Sequence, residues 1–249
     1  MKKFVLAMVL CLVILMGVNN TGFSADKTIT FSTLNWEPYI GENLKNNGYV
    51  AEIAKKALAR EGYNLEIKFY PWARTVKLAK LGKVDGYFPE YYSPEKETHF
   101  SFSDKFPGGP LGFFKKTGRD ISYNKLKDLK SYNIGVVRGY VNTEEFDNAN
   151  YLQKESARSD LINIRKLLSG RIDLMVADKF VGKYVLKEKL PNKVGDIEFV
   201  EPPLEYKPLY VAFVKSNNNH KKYVTAFNKG LQKIKEDGTL DKILSKYGF

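Results

Sequence analysis

Hydrophobic positions along this chain follow three patterns, and their order predicts the architecture. The first is an unbroken apolar run from Phe4 to Val18, preceded by Lys2 and Lys3 and followed by polar Asn19 to Ala25. A charged start, an apolar middle and small residues at the end have the layout of a secretory signal peptide. Cleavage after Ser24 or after Ala25 fits, and the segment is read as residues 1–25. The alternative, an uncleaved anchor, meets a run shorter than the roughly 20 residues a spanning helix needs. Cys11 follows Leu10 inside that run and is read as part of the signal.

The second pattern is the short alternating or β-branched run, expected as strand: Thr28–Thr33, Leu65 with Ile67 and Phe69, Val84–Phe88, Asn133–Val137, Ile172–Ala177 and Leu209–Val214. The third is apolar spacing of three and four, expected as helix. Val50, Ile53, Ala54, Ala57 and Leu58 form one such face, ended by Gly62, and Arg74 to Leu81 reads as another, closed by Gly82. Leu161, Ile164, Leu167 and Leu168 form a third, stopped by Gly170. Tyr223, Phe227, Leu231 and Ile234 mark a long helix up to Gly238, and Leu240, Ile243, Leu244 and Tyr247 a last one. Asn142 or Thr143 caps a further helix carrying Glu144 and Glu145 in its first turn. Strand alternating with helix predicts an α/β fold with mainly parallel sheets. Breaks at Phe106–Pro110 and at Glu201–Pro203 predict two chain crossings between lobes.

Composition narrows the chemistry. Forty Lys and Arg against 28 Asp and Glu give a net charge of +12, enough to raise the question of nucleic acid. The lysines are scattered in runs no longer than two, as at Lys55-Lys56 and Lys115-Lys116, so a solvated surface is the better reading. A mature chain without Cys11 has no disulfide and no thiol nucleophile, and His99 and His220 alone make a histidine metal site improbable. No Gly-x-Ser-x-Gly elbow, phosphate loop or His-Glu-x-x-His occurs. Neither cofactor nor metal is expected. The enzymatic alternative, a lyase, rests on Glu90 near Lys96 and Arg74 as an acid–base cluster.

Several short motifs stand in a recognisable order: Trp36-Glu37-Pro38-Tyr39, Gly82-Lys83-Val84-Asp85-Gly86, Phe102-Ser103-Asp104, Gly135-Val136-Val137-Arg138-Gly139 and Gly170-Arg171-Ile172-Asp173. The end of the chain is the strongest piece: Glu236-Asp237-Gly238-Thr239-Leu240-Asp241-Lys242-Ile243, then Lys246-Tyr247-Gly248. With these pieces the chain resembles, over nearly its whole mature length, the family 3 solute-binding proteins of polar amino acid ABC transporters. The resemblance implies a type II periplasmic binding protein-like fold, two α/β lobes joined by a two-strand hinge with the ligand cleft between them. Residues 26–107 and 209–249 would form one lobe, and 108–208 the other. It also implies a periplasmic monomer that captures a small polar ligand by hinge closure and hands it to a membrane permease. A sensory receptor for a membrane signalling protein is the alternative.

Site residues follow position by position. The resemblance places Trp36 as the aromatic over the ligand and Asp178 as the acid that meets its ammonium group. Arg138, Gly139, Tyr140 and Asn142 match the loop whose amides meet its carboxylate, a role that free N–H groups at a helix start also favour physically. One departure is plain: where the family has an arginine that grips the carboxylate, this chain has Lys96, a point charge in place of a planar fork. An ordinary α-amino acid bound in the usual way is therefore in doubt. Arg74, beside Trp72 at a strand-to-helix corner, is the candidate replacement. Tyr39, Glu90 and Tyr91 complete the set. In this reading Arg74, Lys96 and the loop take the ligand's negative end, and Asp178 with Glu90 the positive end. The competing roles are core packing for Trp36, an exposed helix arginine for Arg74, a helix cap for Asp178 and a solvated turn lysine for Lys96.

Overall fold

The computed structural model describes residues 27–249, so the signal peptide read at residues 1–25 lies outside the described residues. The first half of the chain runs β1 (Lys27–Thr33), α1 (Tyr49–Ala59), β2 (Tyr63–Phe69), α2 (Trp72–Lys80), β3 (Gly86–Glu90), β4 (Phe100–Phe102) and β5 (Phe106–Lys116). It continues β6 (Asn133–Val137), α3 (Glu144–Asn148), β7 (Gln153–Ala157), α4 (Asp160–Leu168), β8 (Leu174–Asp178) and α5 (Lys179–Lys189). Last come β9 (Ile197–Phe199), β10 (Glu205–Val214), α6 (His220–Glu236) and α7 (Thr239–Tyr247).

Two α/β lobes result. In the first, β1 pairs in parallel with β2 and β3, while β10 runs antiparallel to β3 and β4. In the second, β6 pairs in parallel with β7 and β8, and β5 runs antiparallel to β8 and β9. Strand β10 pairs in both sheets, and β5 of the second joins it through Leu111↔Glu205 to Phe106↔Leu209. Phe106–Pro110, expected as a break where the chain crosses between lobes, begins the eleven-residue strand β5. Pro107 survives there because an irregular register at Lys207/Leu209 relaxes the ladder's demand for an N–H donor.

Each lobe closes its core with helices. The face predicted for α1 buries Tyr49, Val50, Ile53, Ala54, Ala57 and Leu58, and α6 packs against it through Phe227, Leu231 and Ile234. The two helices approach so closely that a Cβ on Gly230 would stand 1.8 Å from the Ala57 carbonyl oxygen. In the second lobe Phe114, Ile164, Leu167, Met175 and Leu186 form a separate apolar cluster. Among the described residues no helix is long and apolar enough to cross a membrane.

Candidate functional site

The carboxyl ends of parallel strands in both sheets meet at one seam, where open α/β sheets place ligands. From the first lobe come Trp36 and Tyr39 after β1, Trp72 after β2, and Glu90 and Tyr91 at the end of β3. From the second come Tyr140 after β6, Asp160 after β7 and Asp178 as the last residue of β8.

Asp178 joins the lobes while capping a helix. Its Oδ1 accepts the Phe180 and Val181 amides at 2.9 and 3.1 Å, which seals the start of α5. Its Oδ2 accepts the Tyr39 hydroxyl at 2.8 Å and the Tyr91 hydroxyl at 3.3 Å, both from the other lobe. The cap role and the seam position, set out as alternatives, coexist because a carboxylate has two oxygens. Burial pushes the Asp178 carboxyl up to about 6 against the pull of those four donors. Burial, then the charge of Asp178, raises the Tyr39 and Tyr91 hydroxyls well above the ordinary phenol range. Gly109 of β5 makes this approach feasible: a Cβ there would stand 2.0 Å from the Tyr39 hydroxyl and 2.8 Å from Asp178 Oδ2.

Glu90 and Lys96 do not sit at opposite ends of a ligand as expected; they pair with each other. The single turn Pro94–Thr98 folds Lys96 back over β3, so its ammonium reaches Glu90 Oε2. Oε2 also accepts the Tyr87 hydroxyl at 2.8 Å, and Oε1 accepts the Tyr91 amide at 2.9 Å. The same ammonium lies 5.5 Å from the Trp72 ring centre and 5.9 Å from that of Tyr87, so its charge is shared with two aromatic faces.

Aromatic rings form the walls. The Trp72 indole N–H crosses the seam to the Gly139 carbonyl at 2.9 Å, and its ring meets Tyr140 edge-on at 5.7 Å. Trp36 lies 4.7 Å from Tyr39 and 5.9 Å from Tyr91 between ring centres. These rings bound an inner cavity of about 30 Å³, floored by Pro89, Glu90 and Leu209. That space takes a water molecule or two, and a larger ligand requires the lobes to part. Trp36, Trp72 and Tyr140 also wall an outer groove of about 460 Å³ that reaches Asp160, Arg158 and Glu37.

Three expected residues stay outside this assembly. Arg74 points away, exposed, with its guanidinium 4.9 Å from the Tyr70 ring centre, because only Trp72 and Thr75 face inward on that turn of α2. Arg138 is exposed, held by its backbone amide to Ala157. Asn142 is buried but committed: its amide and side chain donate to the two carboxylate oxygens of Asp147 at 2.8 and 2.9 Å. Thr143 is the cap, accepting the Phe146 amide at 3.1 Å. The amides of Tyr140 and Asn142 are therefore spent within the loop and are not free for an anion.

Asp160 and Tyr87 were not foreseen. Asp160 is 6% exposed, forms no ion pair among the described residues, and accepts the Tyr140 hydroxyl at 3.5 Å. Burial pushes it up to about 7. The available signal was an acid beside Ser159 ahead of an apolar helix face, which reads equally as an ordinary first-turn acid. Among the described residues no three His, Cys, Asp or Glu side chains gather as a metal site.

The profile of the bacterial extracellular solute-binding proteins, family 3, matches residues 30–249. The chain belongs to that family. It is 25% identical to the arginine-binding extracellular protein ArtP of Bacillus subtilis (strain 168), over 99% of this chain and 98% of that protein. Among solved structures, it is similar to an ancestral arginine-binding protein bound to arginine: TM-score 0.73, 26% identity, 88% of this chain and 97% of that one. It also shares the fold of a histidine kinase sensor domain that resembles periplasmic binding proteins: TM-score 0.78, 19% identity, 89% of this chain and 96% of that one.

Proposed function

We propose that this protein is a periplasmic receptor that closes around a small polar ligand bearing a cationic group and delivers it, unaltered, to the membrane permease of an ABC transporter. The observation that carries this is Asp178, a buried carboxylate at the seam whose contacts with Tyr39 and Tyr91 exist only when the lobes meet. Contacts made by one state alone bias a two-state equilibrium, which is how a ligand at this seam drives closure. The lobes are residues 26–107 with 209–249, and residues 108–208, and they move about β5 and β10. Trp36, Trp72 and Tyr140 cover the ligand's apolar part, and the protein works as a monomer. Relatives named for amino acid binding support the ligand class.

Calorimetric titration of residues 26–249 with the amino acids and their amines tests this. Binding that is lost in Asp178→Asn, with the bound compound recovered unchanged, is the expected result; no heat from any compound overturns it. A second reading, a receptor that presents ligand state to a membrane signalling protein, is favoured by the similarity to the kinase sensor domain. Permease pull-down by the ligand-loaded protein separates the two.

A further inference from the structure

The inner site is built from carboxylates and aromatic rings, and the two ammonium groups that reach its rings, Lys96 and Lys207, are already paired with Glu90 and Glu205. Glu90 holds the Lys96 ammonium, and the Trp72 and Tyr87 faces cover it. Asp178 and Asp160 are 3% and 6% exposed and form no ion pair among the described residues. Each faces the seam from the second lobe, Asp178 beneath Tyr39 and Tyr91, Asp160 beneath Tyr140 on the groove wall. Leaving a carboxylate buried without a cation is costly unless something positive joins it. Trp36, Trp72 and Tyr140, which wall both spaces, offer the ring faces that attract organic cations.

Among the described residues no buried lysine or arginine offers an anion the same service. Arg74 lines neither space and spends its guanidinium face, exposed, on Tyr70 of the groove wall. The amides of Tyr140 and Asn142 bond within their own loop. At the outer groove Arg158 and Lys189 are exposed and are matched in number by Glu37 and Glu42, which leaves Asp160 as the excess charge.

We infer that the cleft recognises an organic amine, with Asp178 and Asp160 as its two anionic contacts, and that recognition does not require a ligand carboxylate. This rests on the receptor reading above and narrows it. An amine bound in this way supplies the charge both carboxylates lack, while the rings enclose its alkyl chain. Asp160 becomes a specificity residue: it selects for a second positive group, or for one extended enough to reach the groove.

The test is titration calorimetry of residues 26–249 with matched pairs that differ only by a carboxylate: lysine against 1,5-diaminopentane, and arginine against agmatine. The expected result is that in at least one pair the amine binds as tightly as its parent amino acid or more tightly. Asp160→Asn should weaken that amine at least tenfold while the melting temperature of the free protein holds or rises. Amines that bind more weakly than their parents in both pairs overturn the inference and leave the receptor reading standing. Heat from some other amino acid with silence from all four compounds has the same consequence. Silence from every amino acid and amine overturns both. Unchanged amine affinity in Asp160→Asn overturns the second contact.

Discussion

Each buried carboxylate at the seam solves its solvation problem differently, and each solution predicts a different response to mutation. Glu90 is met by the Lys96 ammonium, the Tyr87 hydroxyl and the Tyr91 amide. Lys96→Met should therefore cost about 3–5 kcal/mol in denaturant unfolding, because it leaves Glu90 buried and unpaired. Glu90→Gln combined with Lys96→Met should recover most of that loss, and an additive double mutant would mean the pair is not coupled. Asp178 leans on two amides and two hydroxyls. Asp178→Asn keeps the helix cap, since asparagine caps as well as aspartate, but removes the charge. Ligand affinity should fall at least tenfold in calorimetry while stability at neutral pH holds or rises.

The pH dependence follows from the same groups. Asp178 at about 6 and Asp160 at about 7 stand above the ordinary carboxylate range through burial. Over the interval from about pH 4 up to those values the folded chain holds protons that the unfolded chain has released. Their stabilisation is complete below that interval and is lost as pH rises through about 6 and 7. The tyrosines that face them, Tyr39, Tyr49, Tyr91 and Tyr140, are raised away from this window. A cationic ligand has the opposite requirement and needs both acids ionised. Between about pH 5 and 8 the melting temperature of the free protein should fall while ligand affinity rises. Asp160→Asn should flatten the upper part of both profiles.

Among the elements, the helices and most strands were legible, and β7 and the start of β5 were not. A helix announces itself by a spacing that its own geometry demands, so α1, α4, α6 and α7 stand where the apolar residues recur. Strand β7 has only Ala157 buried, because it lies at the edge of the sheet, and so it shows no alternation to read. Strand β5 begins Phe106-Pro107-Gly108-Gly109-Pro110, which has the composition of a loop. Those glycines are there for close approach rather than for flexibility. Gly109→Ala should push Tyr39 from Asp178 and weaken ligand binding with little change in far-UV circular dichroism. Gly230→Ala, where α6 touches α1, should lower stability by about 1–3 kcal/mol in chemical denaturation without altering ligand specificity.

For the whole molecule, the seam is the functional object, and few cross-lobe bonds hold it: Tyr39 and Tyr91 to Asp178, and Trp72 to Gly139. Phe249 adds a ring that stacks on Tyr39 of the first lobe and meets Phe180 of the second edge-on. Replacing Tyr39, Tyr91 and Trp72 together with phenylalanine removes the bonds and keeps most of the apolar area. The free triple variant should show a larger radius of gyration than the parent in small-angle scattering; an unchanged radius would mean that these bonds do not hold the lobes together. Sequence by itself determined the alternation of strand and helix, the family, and the residue types at the strand ends, because those depend on local spacing and on short motifs in order. Only the tertiary structure decided which charges neutralise one another. Lys96 and Glu90 cancel, Asn142 turns to Asp147, and Asp160 is left facing the groove. The two pairings are fixed by turns that fold back on their own strand or helix ends, and the exposure of Asp160 to the groove by how the lobes meet, and no period along the chain records either.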